Sequence, residues 1–237
     1  DYDSWAVKAA KSTKANIVNA AEVSGKKSGD NPHVWFSAQV REDTAKAITA
    51  AYKKAVPSKA DDFDKLYEQW QSKENDLAKS IAEVKKTADG LTYAATESVA
   101  DYLASDLGLK DVTPTGYAQA TANESEPTPT DIKQFTDALV QRAVAVVAAI
   151  TMLSALGACG GGQSANGSDE DAINVVASVN QWGTVAKALG GGNVNVTSII
   201  NSTNVEAHDY EPTTADIAKL QKAQVIVVNG ADYDSWA

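Results

Sequence analysis

The sequence predicts an α/β protein: two lobes of strands and helices with parallel sheets, joined by a long helical connector. Three observations carry this. Short β-branched runs alternate with helical stretches at the spacing of βαβ units. A helical pattern occupies residues 37–86, broken only near Pro57-Ser58. Two distant segments, Glu126-Pro-Thr-Pro-Thr-Asp-Ile132 and Glu211-Pro-Thr-Thr-Ala-Asp-Ile217, share a Glu-Pro-Thr-x-x-Asp-Ile opening. A weak internal repeat of that kind suggests two similar lobes.

The chain has 237 residues, 43% of them hydrophobic, enough for a sizeable core. Its net charge of −10 argues against a nucleic-acid partner, whose phosphates need Lys and Arg. One cysteine, Cys159, excludes an intrachain disulfide framework. The single methionine, Met152, is internal.

Arg142 to Cys159 reads as a secretory signal: a basic residue, an apolar run of 16 residues from Ala143 to Ala158, then Leu-Gly-Ala-Cys. The run is short for a spanning helix, which needs about 20 residues. Its Leu156-Gly-Ala-Cys159 ending resembles a bacterial lipobox, in which Cys159 becomes the lipidated N-terminus. The polar stretch after it, to residue 171, would be a tether. Signals belong at N-termini. The hexapeptide Asp-Tyr-Asp-Ser-Trp-Ala also occurs twice, at residues 1–6 and 232–237. Together these predict a cyclically rotated order, Arg142 to Ala237 followed by Val7 to Gln141.

In that order, Ala172–Val179 is a buried strand and Asn180–Leu189 a helix with Trp182, Val185 and Leu189 near one face. Gly190 to Gly192 end it. Val194–Ile200 is a second strand. Thr213 caps the next helix, with Asp216 in the capping-box position, and Ile217, Leu220 and Ala223 share a face. Gln224–Val228 is the third strand, broken by Asn229-Gly230. Across the join, Trp236/Trp5 begins a helix, and Asn16–Asn19 is a strand. A polar loop then leads to Asn31-Pro-His-Val-Trp-Phe36, where Val-Trp-Phe anchors the loop. In residues 37–86, Ala45, Ile48 and Tyr52 share one face, and Phe63, Leu66, Tyr67 and Trp70 another. Leu91–Ala95 is a strand, Val99–Leu107 a helix ended at Gly108, and Val112–Tyr117 a strand weakened by Pro114. Thr128 caps a last helix whose Ile132, Phe135 and Leu139 face inward.

Three loops hold candidate chemistry: His208, His33 and Glu97. Each follows an extended segment and precedes a helix, the ligand-binding edge of an open α/β sheet. Two imidazoles and a carboxylate suit a divalent transition metal. Singly each is weak: a loop histidine is more often a surface residue, and Glu97 is also placed for a helix dipole.

Their surroundings are more specific. Asn31-Pro-His-Val-Trp-Phe resembles the Asp-Pro-His-Val-Trp-Leu segment of the zinc/manganese-type (cluster A-I) metal-binding receptors of bacterial ABC importers. Glu206-Ala-His-Asp-Tyr-Glu-Pro-Thr-Thr-Ala-Asp216 resembles their first ligand loop, Val225-Ile-Val-Val-Asn-Gly230 the next strand, and Thr96-Glu-Ser-Val-Ala-Asp-Tyr-Leu103 the third ligand segment. The lipobox also suits the family. The resemblance covers nearly the whole chain in joined order.

The resemblance implies a lipid-anchored, extracytoplasmic, monomeric receptor that passes a divalent metal to an ABC permease and is not an enzyme. It implies a signal and tether at 142–171, a first metal-binding lobe from 172–237 plus 1–36, a connecting helix within 37–88, and a second lobe at 89–141. His208, His33 and Glu97 match three of the family's four ligands. The fourth, a carboxylate of the second lobe, has no counterpart, so that lobe reads as incomplete. Two histidines with carboxylates lean to Mn²⁺, with Zn²⁺ next. Two other readings stand beside this one, a metallohydrolase using the same His/His/Glu set and a surface adhesin on the same fold. No His-Glu-x-x-His, nucleophile elbow or Gly-rich phosphate loop supports the hydrolase.

Overall fold

The computed structural model describes residues 15–123, 125–141, 172–202, 205, 207, 209–234 and 236. The predicted signal, Cys159, the helix at Trp5 and His208 itself lie outside them.

Strand β1 (Asn16–Asn19) runs into a one-turn helix α1 (Ala20–Val23), whose start is capped by Asn19 Oδ1 accepting from Glu22 N. A polar loop leads to a 3₁₀ turn, Val34–Phe36. Helix α2 (Ala38–Ala55) follows, then a 3₁₀ turn at Pro57–Lys59, then the 29-residue α3 (Ala60–Ala88). Next come β2 (Thr92–Tyr93), α4 (Asp101–Asp106), β3 (Lys110–Asp111), α5 (Thr115–Ala122) and α6 (Pro129–Gln141). The remaining elements are β4 (Ile173–Val179), α7 (Asn180–Gly190), β5 (Val194–Ile200), α8 (Thr214–Lys222) and β6 (Val225–Val228).

The chain divides into two compact units, residues 1–77 with 167–237, and residues 78–166. The first is built on a four-stranded parallel sheet in the order β1-β6-β4-β5. Strands from both ends of the chain therefore share one sheet. Val175, Val225, Ile226 and Val227 are at most 1% exposed, as parallel strands covered on both faces require. Burying each such side chain stabilises by about 1.5–3 kcal/mol. Helix α2 packs against α7 and the β1 edge. Ala45, Ile48 and Tyr52 form its fully buried face, as their spacing predicts. The Tyr52 hydroxyl donates to Ala186 O of α7 at 3.0 Å, and burial holds its pKa well above the ordinary value.

In the second unit β2 and β3 pair in parallel, Thr92 with Lys110 and Tyr93 with Asp111. Two expectations fail here. Val112–Tyr117 is not a strand. Pairing ends at Asp111, and Pro114, at φ −58°, forms the N-cap of α5. Proline has no N–H for a ladder and is pre-set for a helix entrance. On α6, Ile132 and Leu139 are exposed instead of inward, while Phe135 stacks on Tyr117 at 4.4 Å. The α6 start is as predicted: Asp131 Oδ2 accepts from Thr128 N and Oγ1, and Thr128 Oγ1 accepts from Asp131 N. Among the described residues, no helix is long and apolar enough to cross a membrane.

Candidate metal centre

All four strands of the large sheet run in parallel, so their carboxyl ends share one edge. β6 and β4 are the two central strands, with β1 outside β6 and β5 outside β4. The carboxyl edge is the usual ligand edge of such folds. Ser178 near the end of β4 and Asn229 just past β6 stand there, both buried. Asn229 links three segments: its Oδ1 accepts from Trp182 Nε1 at 2.9 Å, and its Nδ2 donates to the carbonyls of Pro32 and Gly230, each at 2.9 Å. The Pro32 bond reaches across from the sheet to the residue before His33.

His33 lies in that loop, half-buried, and precedes a turn anchored by the fully buried Val34. Asn31 Oδ1 accepts from the backbone N–H of His33 at 3.0 Å and faces His33 Nδ1 at 2.9 Å. A backbone N–H can only donate, so the atom it meets is the amide oxygen, and Nδ1 must also donate. The neutral ring then carries its lone pair on Nε2, the arrangement of a metal-ligating imidazole held by a second partner. Trp35 meets the ring edge-on at 5.5 Å, and Tyr233 lies 5.8 Å from it. Arg41 donates to Trp35 O at 2.9 Å and pairs with Glu74 of α3, tying this loop to the long helix.

The predicted capping box at Thr213 and Asp216 is present. Burial raises the Asp216 carboxyl, but hydrogen bonds from the Thr213 hydroxyl, Lys219, Tyr210 and the Thr213 N–H outweigh it, so it sits well below the usual carboxylate range. Tyr210 is raised by burial and by that carboxylate. This network fixes the end of the 201–213 segment. Ala207 and Tyr210, on either side of position 208, are held by Trp236: its Nε1 donates to Ala207 O at 2.9 Å and its ring lies 4.9 Å from Tyr210.

Glu97 belongs to the second unit. It is exposed, on extended backbone (φ −147°, ψ 158°) before a 3₁₀ turn, and its side chain makes no capping bond to that turn. Neighbouring backbone is pinned by Ala95 N donating to Thr113 Oγ1 and Tyr93 donating to Asp101, each at 3.0 Å. Among the described residues, no three His, Cys, Asp or Glu side chains cluster closely enough to hold a metal. His33 and Glu97 thus lie in separate units, and His208 is outside the described set.

Trp236, expected with Trp5 to begin a helix, lies in a turn instead. Asn31, Asn229, Tyr233, Asp234 and Trp236 were not among the expected site residues. Asn31 had a local signal, since an Asn two residues before an N–H it can accept from forms an Asx turn. The others act across the fold.

The family described as zinc-uptake complex component A periplasmic matches residues 1–156 and 175–237. The chain is 31% identical over 80 residues to the manganese ABC transporter substrate-binding lipoprotein scaA of Streptococcus gordonii, covering 34% of this chain and 26% of that protein. It is 33% identical over 89 residues to the manganese-binding lipoprotein MntA of Halalkalibacterium halodurans, covering 37% and 29%. It is 42% identical over 45 residues to the iron-binding protein YfeA of Yersinia pestis, covering 19% and 14%. The chain thus matches less than a third of the length of these curated relatives. No solved structure matches it.

Proposed function

The chain belongs to the zinc-uptake complex component A periplasmic family, and from that premise we propose that it captures a divalent transition metal outside the cytoplasmic membrane and delivers it to an ABC permease. His33, His208 and Glu97 supply ligands, and Cys159 carries a lipid anchor. The metal is cargo, and the protein is a receptor with no catalytic step. Mn²⁺ is the favoured ion and Zn²⁺ the next. Two relatives bear manganese in their names, and a carboxylate beside two imidazoles makes a harder site than one of nitrogen alone.

One observation carries most weight. The Asn31 amide oxygen, identified by the backbone N–H it accepts, makes Nδ1 of His33 a donor, which supports the reading of Nε2 as the nitrogen that would face a metal. Such an outer partner also raises imidazole basicity. The net charge of −10 favours approach of a cation.

The test is metal content after dialysis against Mn²⁺ or Zn²⁺, for the chain and for H33A, H208A and E97A. The expected result is one ion per chain, reduced in every variant. Unchanged content in all three variants would remove the ligand assignment.

A further inference from the structure

Past β6 the backbone passes through three successive residues with positive φ: Gly230 at 75°, Ala231 at 53° and Asp232 at 64°. Glycine takes this conformation freely, but alanine and aspartate do so only where their surroundings over-determine it. Here they do. Asp232 Oδ2 accepts from Ser28 Oγ at 2.6 Å and Gly29 N at 3.1 Å. Tyr233 lies 5.8 Å from the His33 ring and 5.0 Å from Trp35. Asp234, 3% exposed, accepts from Ser178 Oγ, from Asn229 N at 2.5 Å and from Gly230 N at 2.8 Å. Trp236 holds Ala207 and Tyr210.

Asp234 ties the turn to the sheet through Ser178. The other three contacts go outward to two different loops, the one that carries His33 and the one that contains Ala207 and Tyr210. A single strained turn therefore fixes both loops against the same sheet edge.

We propose that Tyr233 and Trp236 are positioning residues for metal binding: through this turn they set the plane of the His33 imidazole and the placement of Ala207 and Tyr210. The proposal rests on the reading of His33 as a metal ligand. Neither residue coordinates. Their effect is on affinity and on discrimination between ions, because a rigid ligand frame separates ions by the geometry each accepts. Tyr233 acts through its ring on the imidazole, and Trp236 through its indole N–H on the Ala207 carbonyl.

The experiment titrates Mn²⁺ and Zn²⁺ separately into the 237-residue chain and into Tyr233→Ala, Tyr233→Phe, Trp236→Phe and His33→Ala. Tyr233→Ala should weaken Mn²⁺ binding about tenfold and Tyr233→Phe, which keeps the ring, by less than about twofold, on the scale of supporting residues around metal ligands. Trp236→Phe, which keeps a ring but loses the donor, should weaken it several-fold. The Co²⁺ complex of Tyr233→Ala should show an altered ligand-field spectrum, which a mere loss of stability would not produce. If Tyr233→Ala does not fold, Tyr233→Leu and Trp236→Phe carry the same expected losses. Affinities and Co²⁺ spectra like those of the unsubstituted chain, with His33→Ala defective, would overturn the positioning role and leave the ligand reading intact. Normal binding by His33→Ala would overturn both.

Discussion

Asn229 is buried and holds Trp182, Pro32 and Gly230 at once. Asn229→Ala leaves the indole N–H and the Pro32 carbonyl without this partner. It should destabilise the first unit by more than about 2 kcal/mol, since each unsatisfied buried group costs about 1–3 kcal/mol; a urea titration measures this. Asn31→Ala removes the acceptor that sets the His33 tautomer. Mn²⁺ affinity should fall by about tenfold or more, while Asn31→Asp, which still accepts, should keep it, as read by equilibrium dialysis. Asp216 predicts a pH dependence. Its folded pKa lies below the unfolded value near 4. The stability it contributes is therefore present above that pH and lost as pH falls toward the folded value. Asp216→Asn should be less stable at neutral pH and lose less on acidification from about pH 4, seen in urea midpoints across that range. At this scale, short motifs made His33, His208 and Glu97 stand out in the sequence. The groups that hold His33 were mostly illegible. Asn229 lies 197 positions from Pro32, and only folding reveals that contact.

Periodicity placed β4, α7, β5, α8 and β6 closely, because buried parallel strands and amphipathic crossover helices leave strong apolar patterns. The buried face of α2 was legible for the same reason. Ile48→Ala there should lower stability by about 2–5 kcal/mol through lost burial and a cavity. Thr213→Ala, which removes the α8 cap, should lower it by about 1 kcal/mol. Thermal or urea unfolding measures both. The second unit was harder to read. Its strands are two residues each, too short to alternate, and the β-branched residues Val112, Thr113 and Thr115 around Pro114 imitate a strand while forming a helix entrance. The α6 face shows the limit of pattern reading. Ile132 and Leu139 have core-like spacing, but helical spacing alone does not show what lies opposite, and here they are exposed.

Across the whole molecule, residues near both chain ends build one sheet, and the turn after β6 anchors both loops at its edge. The parallel α/β class was legible from the alternation of runs. The sheet's order and the turn's role were not, because they depend on contacts between residues far apart in sequence. Metal bound to the folded state alone should stabilise it by about 2.7 kcal/mol at a hundred times Kd. The most direct test of the central claim is pulsed electron paramagnetic resonance of the Mn²⁺ complex, which detects ¹⁴N nuclei bonded to the ion. Modulation from imidazole nitrogen in the unsubstituted chain, diminished in H33A and in H208A and absent when both are replaced, is the predicted result. A Mn²⁺ complex without nitrogen modulation, or one that keeps it in the double variant, would contradict the account.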